Sequence, residues 1–219
     1  MRDTIFFDLD QTLLDKHQSL INFANQQYKT FALDEFISDR KRFINEFVRL
    51  HHIVMPKNDV YRELTIRFSI NASLQNEMLQ DLDAHFPAAS VGFPHLHEML
   101  KIIKSQNYKI GLITNGRDFF QREKIKELGI LPYLDNIVTS GGFGKKKPDL
   151  SIFKYGLGKL HATPKQSIFV GDSLTKDIVP AKSIGMRTIF MGPPQVHPDI
   201  DTNCLHLSEV PLAIERISK

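Results

Sequence analysis

The chain opens on an apolar run, Ile5-Phe6-Phe7, closed by two acids one position apart, Asp8 and Asp10. A continuous apolar run reads as a strand buried on both faces, here over about Thr4–Asp8. If that strand continues, alternation points Asp8 and Asp10 to one side at its carboxyl end. From about Lys16 to Ala89 the pattern holds no convincing strand. Apolar residues such as Phe36, Phe43, Phe47 and Leu50 recur there at helical spacing. Asp34 is placed to cap one helix and Asn58-Asp59 another, with Pro56 and Pro87 as punctuation. About four helices packed as a small bundle are expected. Phe23, Phe31, Phe36 and Phe43 read as the core of that bundle in preference to a cleft lining.

After Pro94, helix and strand alternate. The pattern predicts a helix over Leu96–Ser105, a strand over Tyr108–Thr114 and a helix over Phe119–Leu128 that stops at Gly129. A strand follows at Asn136–Thr139, then a glycine- and lysine-rich loop to Pro148 and a helix over about Leu150–Leu160. Strand Ser167–Val170 runs into Gly171-Asp172, with a helix over Lys176–Ile184, a strand at Arg187–Phe190 and a last strand and helix near Leu205–Ile217. This alternation predicts an α/β fold with a parallel sheet covered on both faces. The all-helical stretch is inserted after the first strand.

Composition changes this picture little. Hydrophobic residues make up 42% and charged residues 24% of 219, as in an ordinary globular protein. The formal net charge of +3 is small and spread out, which does not argue for nucleic acid. The one cysteine, Cys204, excludes an intramolecular disulfide and makes a reducing compartment the default. No charged-then-apolar leader precedes the first strand, and no apolar run approaches the ~20 residues of a membrane helix. A cytoplasmic protein is expected, with no nucleic-acid or membrane partner, as a monomer or homodimer.

The candidate chemistry lies in four loops, each following a sheet strand: Asp8-x-Asp10-x-Thr12, Thr114-Asn115-Gly116, Lys147 before Pro148, and Gly171-Asp172-Ser173 through Asp177. In a parallel sheet these strand ends lie along one edge, where open α/β sheets bind ligands. Two carboxyls side by side repel unless a positive group sits between them, and a hard divalent cation such as Mg²⁺ is the simplest candidate. Carboxylates, a hydroxyl, backbone donors and one ammonium suit a metal ion plus a tetrahedral oxyanion.

These four motifs, in this order, resemble the haloacid-dehalogenase-like hydrolase superfamily. The helical insertion is similar to the cap of the subfamily that includes phosphoglycolate phosphatases, β-phosphoglucomutases and pyrimidine nucleotidases. The resemblance implies a Rossmann-like catalytic core over residues 1–15 and 90–219 and a helical cap over 16–89. It implies a Mg²⁺-dependent phosphatase acting on a small-molecule phosphate ester, nucleotide or sugar or glycolate phosphate, through an aspartyl phosphate. Asp8 would be the nucleophile and Asp10 the general acid, then base; the Asp10 backbone carbonyl, Asp8 and Asp172 would hold the metal. Thr114, the Asn115 amide and Lys147 would bind the phosphate, and Lys147 would also neutralise Asp8. Asp177 would hold the metal's water shell or orient Lys147. Thr12 and Ser173 would support the site. The dehalogenases of the superfamily use neither a second aspartate in the first motif nor Mg²⁺, so Asp10 and Asp172 favour phosphate over halide.

Plainer readings stand beside these. Asp8 and Asp10 would also make a capped turn, and Asp15 and Asp177 are placed as helix caps. Ser173 reads equally as donor or cap, and Asp149 reads as the cap of the next helix. Lys145 and Lys146 read as a solvated loop, and Arg117-Asp118 as a helix start. His95 and His97 lack a matching ligand cluster. A β-phosphoglucomutase-like phosphomutase, or a non-catalytic phosphate-binding module, is the alternative to a hydrolase.

Overall fold

A computed structural model describes residues 3–53 and 55–218. These fall into two compact units, one of residues up to Asp15 and from Gly92 onward, the other of Lys16–Val91. Among the described residues no helix is long and apolar enough to cross a membrane.

The inserted unit is all helical: α1 (Lys16–Thr30), α2 (Arg40–His52), α3 (Lys57–Phe68) and α4 (Ala72–His85). Its interior is aromatic. Phe23, Phe43, Phe47 and Tyr61 are buried, and Phe23 meets Phe86 edge-on with ring centroids 5.5 Å apart. Such edge-to-face pairs align the positive rim of one ring with the negative face of the other. Of the four phenylalanines expected in this core, Phe23 and Phe43 enter it. Phe31 is half-buried and Phe36 is 46% exposed. Phe36 ends a short 3-10 turn, Leu33–Glu35, outside the helical stripe that the spacing suggested. That turn also corrects the expected caps. Asp34 lies inside it, and the side chain that accepts from the α2 N-terminus is Asp39, from Arg42 N–H. Asn58 and Asp59 lie inside the first turn of α3, whose cap position is Pro56.

The other unit is a six-stranded sheet. Its strands are β1 (Thr4–Phe7), β2 (Lys109–Thr114), β3 (Asn136–Thr139), β4 (Ser167–Gly171), β5 (Arg187–Met191) and β6 (Thr202–Cys204). They run in the order β3-β2-β1-β4-β5-β6, and every neighbouring pair is parallel. The last strand lies just upstream of its expected place. Alternation along β1 explains both layers: Ile5 and Phe7 enter one core with Met99, Leu100 and Ile214, while Phe6 enters the other with Ile152, Phe153 and Phe169. The covering helices are α5 (Leu96–Ser105), α6 (Asp118–Glu127), α7 (Ser140–Phe143), α8 (Leu150–Lys159), α9 (Val179–Ser183) and α10 (Val210–Ser218). Asp149 caps α8, accepting from Ser151 N–H. The helix expected over Lys176–Ile184 begins as a wide π turn, Leu174–Ile178, before α9. Pro180 lacks an N–H and cannot continue the ordinary ladder, so the turn ahead of it widens.

The order in which strands are added reverses at β1: β2 and β3 build outward on one side, β4 to β6 on the other. Ligand crevices in open α/β sheets form at such a switch, beyond the strands' carboxyl ends. Phe7, the last residue of β1, is in register with both Leu112 and Val170, and β2 continues to Thr114 and β4 to Gly171, so the three loops leave the same edge of the sheet.

Candidate active site

Asp8 is the first residue beyond β1, and its N–H still donates to Val170 O at 2.9 Å. That bond anchors its backbone to β4 while its side chain leaves the sheet edge. The strand stops there, because Gln11 takes the left-handed region (φ 66°) and its N–H turns back to Leu14 O at 2.8 Å. Alternation therefore does not carry through to Asp10, and the two carboxyls go to different partners.

The Asp8 carboxylate accepts from Lys147 Nζ at 2.7 Å, and the same ammonium donates to Asp177 Oδ1 at 2.6 Å. Lys147 is 3% exposed and Asp177 1% exposed. Asp177 Oδ2 accepts from Ser173 N–H at 3.1 Å, so this carboxylate orients the lysine and closes its own loop. Gly171 makes room for it: a Cβ there would stand 2.6 Å from the Asp177 Cβ. The Ser173 hydroxyl caps the π turn, accepting from Lys176 N–H at 3.2 Å. Asp177 is thus not a helix cap, and Ser173 is.

Carboxylate oxygens of Asp8, Asp172 and Asp177 lie within 4.8 Å of one another. Three carboxylates face one ammonium, and burial makes the imbalance costly. Burial raises Asp8 to about 7, against the pull of Lys147 and with a further push from Asp177. Asp172 rises to about 6, first from burial and then from Asp177. Burial alone would lower Lys147, but Asp8 and Asp177 outweigh it and hold its ammonium above the ordinary value. The donor set is all oxygen, the excess charge is negative, and both match a hard divalent cation.

The β2 loop supplies the rest. Asn115 clasps the backbone of Lys147 from both sides: Lys147 N–H donates to Asn115 Oδ1 at 2.8 Å, and Asn115 Nδ2 donates to Lys147 O at 3.0 Å. Its side chain thereby positions the lysine instead of reaching for an anion. Thr114 is buried at the end of β2, its Oγ1 accepting from Gln121 Nε2 at 2.7 Å. The Asp10 carboxylate is held by α6: Lys124 Nζ donates to Oδ1 at 2.6 Å and Gln121 Nε2 to Oδ2 at 3.0 Å.

Among the sequence-derived residues, Asp8, Lys147, Asp172 and Asp177 form one cluster, and Asp10 and Thr114 are joined through Gln121. Thr12 is fully buried, and its hydroxyl has no partner among the described residues. Gln121 and Lys124 were missed by motif reading. The available signal was their position: residues 121, 124, 125 and 128 lie on one helix face, and Gln and Lys occupy half of what should be an apolar stripe.

The chain matches the family described as haloacid dehalogenase-like hydrolase over residues 5–191. It is 36% identical over 200 residues to a glyceraldehyde 3-phosphate phosphatase of Methanothermobacter thermautotrophicus, covering 87% of this chain and 86% of that protein. A protein of the same name from Methanocaldococcus jannaschii is 42% identical over 97 residues, 44% of this chain and 42% of that one. The solved structure of the Bacillus subtilis HAD-hydrolase YfnB, described as bound to magnesium, superposes with a TM-score of 0.78 at 18% identity, covering 97% and 98% of the two chains. That likeness is one of fold.

Proposed function

The chain belongs to the haloacid dehalogenase-like hydrolase family, and on that footing we propose that it is a Mg²⁺-dependent phosphatase of small phosphate monoesters, working through an aspartyl phosphate on Asp8. The observation that carries this reading is the buried Asp8 carboxylate at the switch point, 2.7 Å from a buried ammonium and grouped with Asp172 and Asp177.

The chemistry follows from the groups present. An Asp8 oxygen forms a bond to phosphorus as the ester P–O bond breaks, its electron pair passing to the leaving oxygen. Asp10 gives that oxygen its proton. Water then attacks phosphorus while Asp10 takes a proton from it, the P–O bond to Asp8 breaks, and orthophosphate leaves with Asp8 restored. Lys147 holds Asp8 in place and draws charge from the phosphoryl oxygens, and the Thr114 hydroxyl donates to one of them. Mg²⁺, held by Asp8, Asp172 and the Asp10 carbonyl, would neutralise the remaining negative charge on carboxylates and phosphate.

The names of the relatives point to small phosphorylated metabolites, with glyceraldehyde 3-phosphate heading the panel to be screened beside glycolate, sugar and nucleotide phosphates. Release of orthophosphate from para-nitrophenyl phosphate and from that panel, with Mg²⁺ and with chelator, tests the reading. Metal-dependent release is expected. A folded protein that releases none in Mg²⁺ from any of them overturns it.

A further inference from the structure

We infer that Gln121 and Lys124, one turn apart on α6, are positioning residues that fix the proton-transfer carboxylate and the phosphate-facing hydroxyl from behind. The inference rests on the phosphatase reading, in which Asp10 and Thr114 touch the substrate. Both side chains are buried, Gln121 2% and Lys124 3% exposed, on a helix that also buries Ile125. An ammonium is not buried without a partner, because its desolvation costs several kcal/mol. The partner here is Asp10 Oδ1, at 2.6 Å. Packing Leu or Met at position 124 would build a simpler helix, so the charge there answers to the carboxylate.

Gln121 does two tasks with one amide. A primary amide nitrogen carries two hydrogens. One goes to Thr114 Oγ1 and the other to Asp10 Oδ2. Each Asp10 oxygen thus meets a donor from the same helix face, which sets the plane of the carboxylate. A hydroxyl has one donor and two acceptor sites. With one acceptor site of Thr114 taken by Gln121, its O–H is turned away from α6, available to an oxyanion. The loop accommodates this close approach with Gly116, where φ is +149° and a Cβ would stand 2.7 Å from the Gln121 amide carbon. Holding a reacting group within a narrow cone is worth much in rate and little in ground-state binding.

The two residues therefore leave different kinetic signatures. Lys124 bonds Asp10 and otherwise lies over the Phe120 ring, 5.5 Å from its centroid, so Lys124→Met lowers kcat on para-nitrophenyl phosphate about tenfold to a hundredfold with KM within about twofold. Lys124→Arg recovers much of the loss. Gln121→Leu lowers kcat and also weakens inhibition by inorganic phosphate, the probe of Thr114, by about tenfold. In an Asp10→Asn background Lys124→Met has no further effect on kcat, because the group it positions is gone. If Lys124→Met does not fold, as judged by thermal melting, Lys124→Gln replaces it and must show the same split. Equal changes in kcat and KM, no recovery by Arg, or additive losses with Asp10→Asn overturn the inference. Wild-type protein inactive on every substrate overturns the phosphatase reading instead, so the two failures are distinct.

Discussion

In the helical unit the buried polar side chains Gln27, His51 and Tyr61 are neutral and bonded to backbone carbonyls and to one another, with His51 Nε2 left without a partner among the described residues. Gln27 donates to Met78 O at 2.6 Å and accepts from Tyr61 OH at 2.9 Å, and His51 shares Nδ1 with Phe47 O at 2.8 Å. The sheet unit buries ionisable groups beside neutral ones such as Thr114 and Gln121: Asp8, Asp177, Lys147 and Lys124 are all buried, and Asp172 partly so. The first arrangement is close to what stability alone asks of a polar group under a core, no net charge and a partner for most donors and acceptors. The second exceeds that, since buried carboxylates outnumbering their counter-charge weaken a fold. Surplus buried charge at the carboxyl edge of a sheet is evidence of chemistry.

The largest effect expected from this contrast is at Asp8. Asp8→Asn should cut turnover by at least about a thousandfold, as removal of a nucleophile does. The melting temperature of the metal-free protein should hold or rise, because a buried charge has been removed. A protein that loses stability instead would break the contrast. Lys147→Met should act in the opposite sense on stability. It strands Asp8 and Asp177 without their ammonium and should cost about 3–5 kcal/mol near neutral pH, read by urea unfolding. Gln27→Leu should cost about 1–3 kcal/mol, chiefly by orphaning Tyr61 OH, with kcat on para-nitrophenyl phosphate unchanged.

The smallest effect is the most discriminating. Asp8 and Asp172 are raised in the folded chain, so the folded state holds more protons than the unfolded one between about pH 4 and their shifted values of about 7 and 6. Stability from this source is present at low pH and lost as pH rises through that window. Burial lowers His51 to about 3, so its contribution has the reverse sign: present above its ordinary value of 6.5 and lost as pH falls toward 3. Thermal melts of metal-free protein should therefore shift upward at pH 7 relative to pH 5 in Asp8→Asn, and downward in His51→Phe, each compared with wild type. Added Mg²⁺ should flatten the Asp8 dependence.

The sequence was legible where chemistry and chain order coincide. Asp8, Lys147, Asp172 and Asp177 sit on loops after strands whose apolar runs are plain, and parallel pairing brings those loops to one edge. It was less legible where a residue's task depends on a distant partner. Gln121 and Lys124 are unexplained polar breaks in an apolar helix stripe until the turn at Gln11 delivers Asp10 to them. The family resemblance gives the Asn115 amide to phosphate but says nothing of its side chain, whose two bonds to the Lys147 backbone join residues far apart in sequence. In the helical unit Asp34 and Asp39 are equally good caps by type, and only the 3-10 turn after α1 decides between them. Phe36 fits the helical spacing as well as Phe43, yet lies outside the helix.

The two-sided grip of Asn115 on Lys147 has a consequence for how this chain can vary. The ammonium is set by the β2 loop and by Asp8 and Asp177, not by the stretch from Gly144 to Lys146 that leads up to it. That segment is mostly exposed, with Gly144 taking φ +90° and a Cβ there meeting nothing within 4 Å. Charge changes at Lys145 and Lys146 can therefore accumulate over descent without shifting the lysine, whereas Gly141 is tied to the β2 loop: its N–H donates to Gly116 O at 2.8 Å, and a Cβ there would stand 2.7 Å from Asp118 N. A change at position 115 is different in kind: it leaves every reactive group in place and unfastens the one loop that carries the positive charge.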